Sequence, residues 1–110
     1  MVGRDRQARR DFFSRMSAYV IVDLEIVDPV GFQQYREGVV DTVEKYGGEY
    51  IAVSDAVETL EGDWKPSRIV LIEFESMQRA KDWLGSDEYR KIAPIRHRTC
   101  RTNMILVDGV

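Results

Sequence analysis

The sequence is poor in the residues that build the commonest catalytic and metal sites. Among its 110 residues there is one cysteine, Cys100, and one histidine, His97. A single cysteine excludes a disulfide within the chain and any metal site built on several thiolates. A single histidine leaves a two-histidine metal site or a Ser-His-Asp triad without its parts, and no metal is expected. His97 stands among Arg96, Arg98 and Arg101 and reads as a surface residue in a basic run. Cys100, three positions further on, is a weak candidate nucleophile, and a small apolar packing residue is the simpler reading. No apolar run approaches the ~18 residues of a membrane span, nor the ~7–15 of a secretory leader. Neither a GxGxxG nor a Walker loop occurs, so no nucleotide cofactor is marked and none is expected. The expectation is a cytoplasmic protein with no membrane partner.

What is present fits one folded domain: 44% of residues are apolar and 32% charged, at a length typical of a single core. The net charge of −3 hides an asymmetry. Residues 1–16 carry five arginines against two aspartates, whereas the remainder carries eleven basic against seventeen acidic residues, or −6. The first 16 residues therefore read as a basic N-terminal extension, with Met16 as an alternative start, and residues 17–110 as one domain. Two acids and one serine in the extension argue against a mitochondrial presequence.

From Ala18 to Val27 apolar residues alternate along a strand, with Ala18, Val20, Val22, Leu24 and Ile26 on one face. Asp28-Pro29 is a helix start, an N-cap acceptor followed by a proline at the first helical position. Phe32, Tyr35, Val39, Val43 and Tyr46 then form one apolar stripe, and Gly47-Gly48 ends the helix. A second strand is expected over 49–59 and a third, strongly alternating, over 68–75. Ser76 caps a short helix, and Ser86 caps a further turn or two that Pro94 limits. A last strand runs from Thr99 to Asp108. The order β-α-β-β-α-β is the ferredoxin-like arrangement, an α+β fold with an antiparallel sheet and helices on one face. The other face would expose Ile21, Ile69, Leu71 and Ile105, so a partner sheet is expected to cover it.

Asp28-Pro29, Tyr35, Gly47-Gly48, Leu60-Glu61-Gly62-x-Trp64-x-Pro66-x-Arg68 and Ile72-Glu73-Phe74 together resemble the bacterial domain-of-unknown-function family 1330. Ala80, Trp83, Ser86, Tyr89, Arg96 and Val107-x-Gly109 extend the likeness over residues 18–109. The resemblance implies a homodimer in which two ferredoxin-like sheets pack face to face as a dimeric α+β barrel. It implies no assigned reaction. The family tends to carry Arg-Gly-Gly soon after the glycine pair, where this chain has Ala52-Val53-Ser54-Asp55.

Two constellations could carry chemistry. Asp23, Glu25, Glu73 and Glu75 fall on the sheet face away from the helices, where carboxylates inside a dimer need partners such as Arg101 or Arg96. There Glu73 is a candidate general base or acid, with Asp23 beside it; the alternative is a structural ion-pair network. The loop residues Glu61, Trp64 and Arg68 form the second, in which Trp64 stacks on a planar ligand and Arg68 holds its carboxylate. The alternative is a tryptophan packing the loop down while Arg68 pairs with Glu61. Tyr89 and Arg96 are candidates to complete a ligand pocket near the second helix, a core tyrosine being the rival there. RNA-binding sheets of this topology present aromatics on their central strands, whereas this one presents Glu73 and Glu75, so no nucleic-acid partner is expected. The resulting expectation is a small-molecule-binding homodimer with acid–base chemistry on an organic acid, quinol or lactone. Its rival is a binding and dimerisation module without catalysis.

Overall fold

The structure, a computed structural model, describes residues 17–110; the basic extension expected at 1–16 lies outside the described residues. The elements are β1 (Ala18–Ile26), α1 (Pro29–Lys45), β2 (Glu49–Ser54), β3 (Ile69–Phe74), α2 (Met77–Leu84), α3 (Asp87–Thr99) and β4 (Cys100–Asp108). They form one four-stranded sheet in the order β2-β3-β1-β4, antiparallel at every pairing. This is the expected ferredoxin-like topology, with β1 and β3 side by side at the centre.

The alternation in β1 decides which face meets the helices. Ala18, Val20, Val22 and Leu24 are all buried, and Ile72 and Phe74 of β3 join them. Helix α1 begins as its sequence requires: the Asp28 side chain accepts from the Gly31 N–H at 3.0 Å. The helix stops before Gly47, whose φ of +78° is a conformation other residues adopt only with strain. Its buried stripe, Phe32, Tyr35, Val39 and Val43, lies against the sheet and α3. Trp83 of α2 is 1% exposed, and its indole N–H donates to Thr42 Oγ1 at 3.0 Å. Its ring lies 4.5 Å from that of Tyr89 and 5.5 Å from that of Phe74. These rings form the centre of the core.

Two element boundaries differ by more than one residue from those the sequence predicts. Strand β2 ends at Ser54 rather than continuing to residue 59. A register shift between Tyr50 and Ala52 interrupts its pairing with β3, leaving Tyr50 opposite Ile72 and Val53 opposite Val70. Such a bulge bends a strand and shortens its useful pairing. Helix α3, in turn, does not stop near Pro94 but runs thirteen residues to Thr99. Proline cannot bond back to the Arg90 carbonyl, but both residues are exposed, so water can satisfy that oxygen.

Candidate functional site

The strand alternation and the β2 bulge leave a cavity of about 380 Å³ between α1 and the sheet, a size at which ligand pockets begin. Its walls are apolar, formed by Val22 and Leu24 of β1, Phe32 and Val39 of α1, and Val70 and Ile72 of β3. Trp83 and Met104 also reach it. Val40 and Val53, 41% and 54% exposed, mark its mouth. The bulge matters here, because it returns Val53 to the same side as Tyr50, and both line the cavity.

Arg96 is the polar residue that defines this space. It is buried, 9% exposed, and lines the cavity from α3. Its Nε donates to the Tyr89 hydroxyl at 3.1 Å, and the hydroxyls of Tyr89 and Tyr35 share a hydrogen bond at 2.9 Å. Its Nη2 lies 3.2 Å from Nε2 of His97, which is exposed as expected. Among the described residues no carboxylate forms an ion pair with it. Burial opposes its charge, and the neighbouring Tyr89 and Tyr35 hydroxyls more than offset that, so the guanidinium stays ionised.

Burial and the adjacent Tyr89 hold the Tyr35 phenol well above its ordinary range, and burial, Tyr89 and Glu44 push Tyr50 up to about 12. Both phenols therefore remain donors at neutral pH. Neither a carboxylate nor an imidazole lines the cavity. The space offers a cation, phenolic donors and apolar walls.

Arg68 lines the same cavity, and Asp55 holds it in a two-point ion pair, Nε to Oδ1 at 2.7 Å and Nη2 to Oδ2 at 3.2 Å. The pair holds the Asp55 carboxyl below the usual carboxylate range. Arg68 thus pairs with Asp55 and not with Glu61, the partner offered by the alternative reading, and Glu61 is exposed on its loop.

The sheet separates the remaining expected residues from this site. Glu73 lies on the opposite face, opposite Tyr19 in the strand register, and accepts from the Tyr19 hydroxyl at 3.2 Å. Asp23 shares that outer face and accepts from the indole N–H of Trp64 at 2.9 Å, while Trp64 remains 61% exposed. Arg101 approaches Glu25 at 4.0 Å with both groups well exposed. The structure therefore brings Arg68 and Arg96 to one cavity, with Tyr89 beside Arg96, and leaves Asp23 with Trp64, and Glu73 with Tyr19, on the other face of the sheet. Tyr35, Arg36 and Tyr50 were not foreseen as site residues. The one available signal was a tyrosine inside the apolar stripe of α1, whose hydroxyl needs a buried partner.

The sequence matches the model of the family described as "Domain of unknown function (DUF1330)" over residues 17–110. No curated protein matches it. Among solved structures it is similar to a protein of unknown function from Rhodopseudomonas palustris, with a TM-score of 0.70 at 13% identity, covering 96% of this chain and 92% of that one. A second is a dimeric protein of unknown function with a ferredoxin-like fold from Bacteroides fragilis, with a TM-score of 0.55 at 13% identity over 84% and 95% of the two chains. A third is SnoaB, a cofactor-independent oxygenase from Streptomyces nogalater, with a TM-score of 0.59 at 10% identity over 86% and 93%. At these identities the likeness is one of fold. Among the described residues no helix is long and apolar enough to cross a membrane.

Proposed function

The chain belongs to the DUF1330 family, and from that premise we propose that it binds a small organic anion with an apolar body in the cavity between α1 and the sheet. The observation that carries this reading is Arg96, a buried guanidinium lining the cavity with no carboxylate partner among the described residues. A buried cation is costly until paired, and an incoming carboxylate or enolate supplies the pair with charge-assisted hydrogen bonds. Tyr35 adds a second donor, and the apolar walls select an aromatic or branched body. Organic acids, and quinols or lactones in their anionic forms, are the matching ligand classes.

The cavity lining holds no ready general base. Any chemistry there starts from a substrate already anionic and proceeds by electrostatic stabilisation of its charge. The cofactor-independent oxygenase among the structural neighbours is consistent with small-molecule chemistry on this fold, but its reaction is its own. The acid–base reading at Glu73 belongs instead to the outer sheet face. That face carries Ile105 at 58% and Val107 at 40% exposure, and we propose that a second copy covers it, giving a cytoplasmic homodimer like the dimeric neighbour.

Isothermal titration with branched and aromatic carboxylates, each against the alcohol of the same shape, tests the cavity reading. Acids are expected to bind and alcohols not, and Arg96→Gln is expected to weaken binding by at least about tenfold, given ~1.5–3 kcal/mol for a charged hydrogen bond. Undiminished binding by a folded Arg96→Gln protein would sink the reading.

A further inference from the structure

Three guanidinium groups line the cavity: Arg96, Arg68 and Arg36. They are three of only seven arginines in residues 17–110, a region whose formal charge is −6. In a domain with that excess of acid, an even spread of charge would bring carboxylates to the cavity along with the arginines. None lines it. Asp55, just outside the lining, is committed to Arg68 through both carboxylate oxygens. Arg36 is exposed on α1, its guanidinium 5.5 Å from the centre of the Phe32 ring; the Asp55 carboxylate feels its charge, but no carboxylate forms an ion-pair contact with it among the described residues.

The cations therefore differ in depth. Arg96 is buried beside the Tyr35–Tyr89 hydroxyls, whereas Arg36 is exposed, as are Val40 and Val53. Between them the walls are apolar, formed by Phe32, Val39, Val70 and Ile72. A ligand with one charge satisfies Arg96 and leaves the rim cation without an ion-pair contact. We infer that the cavity takes a two-headed anion, a dicarboxylate or equivalent dianion whose charged ends are separated by an apolar spacer. One end meets Arg96 and the other Arg36 at the mouth. This rests on the small-anion reading of the same cavity and adds the number and placement of the ligand's charges.

The rim contact has a recognisable energetic character. It forms near water, so salt screens it, whereas the buried contact at Arg96 is screened much less. The advantage of two heads over one should accordingly shrink as ionic strength rises, while the binding of single-headed acids changes little.

The test is isothermal titration of the full chain with straight-chain alkanedioic acids of increasing length and the monoacids of equal length, at low and at high salt. The expected result is one spacer length at which the diacid binds about tenfold more tightly than its monoacid at low salt. Arg36→Gln should bring that ratio close to one, and Arg90→Gln, a charge-matched change on the exposed side of α3, should leave the ratio as it is. If no diacid exceeds its monoacid while Arg96→Gln weakens both, the two-headed ligand is refuted and the small-anion reading stands. If neither series binds, both fall. If Arg90→Gln reduces the ratio as much as Arg36→Gln, the preference reflects net charge, and the assignment of Arg36 is overturned.

Discussion

A guanidinium removed from water must be repaid by hydrogen bonds, and Arg96 is repaid by phenols rather than by a carboxylate. The Tyr35–Tyr89 hydroxyl pair at 2.9 Å and the Arg96–Tyr89 contact at 3.1 Å form one chain, so its middle member is the sensitive one. Tyr89→Phe removes an acceptor from a buried cation and a partner from Tyr35. We expect it to cost about 1–3 kcal/mol in chemical denaturation, more than Tyr35→Phe, which leaves Arg96 its bond. The same burial makes the fold sensitive to alkali. Tyr50 is raised from 10.0 to about 12, and Tyr35 is raised further in the same direction. Above pH 10 the unfolded chain loses these protons while the folded chain still holds them, so unfolding gains free energy as pH rises. The stability present below pH 10 should therefore fall through the interval up to about 12, with Tyr50 contributing roughly 2 kcal/mol of the loss. Denaturation midpoints measured across that interval should decline less steeply for Tyr50→Phe.

At the scale of elements, helix α3 carries both Tyr89 and Arg96, and its start sets where they point. Ser86 caps that start by accepting from the Tyr89 N–H at 3.1 Å and ties it to the end of α2 by donating to the Trp83 carbonyl at 2.7 Å. Ser86→Ala is expected to cost about 1–2 kcal/mol in denaturant titration, since the residue is buried and both bonds are lost. The cap itself was legible in the sequence, as were α1 and the alternation of β1 and β3, because local chemistry determines them. The bulge in β2 was not legible, since nothing in Tyr50-Ile51-Ala52-Val53 distinguishes a shifted register from a regular one. Nor was the continuation of α3 through Pro94, which stands with Arg90 on the exposed side of the helix. The candidate site was legible only in part. Arg68 and Arg96 were named, but their separation from Glu73 by the thickness of the sheet follows from strand parity across three elements. Tyr35 meets Tyr89 across 54 positions of sequence, a pairing that no local pattern encodes.

For the whole molecule, the sheet divides two chemistries. Its helix side carries a cationic cavity open to solvent at one side, and its outer side carries carboxylates among half-exposed aliphatic residues. Closure of the outer side by a second copy predicts that Leu71→Glu, a charge at the centre of that face, leaves the protomer folded but monomeric. Light scattering at micromolar concentration checks this, and a monomeric wild-type chain would end the proposal. Anion binding on the helix side should survive in the Leu71→Glu monomer, because no residue of the outer face lines the cavity. The two tryptophans fall on either side of the same partition, Trp83 buried at the cavity wall and Trp64 exposed beside Asp23. Each face thus has its own built-in fluorophore. In Trp64→Phe the remaining emission should respond to an added anion and not to dilution, whereas in Trp83→Phe it should follow dilution and ignore the anion.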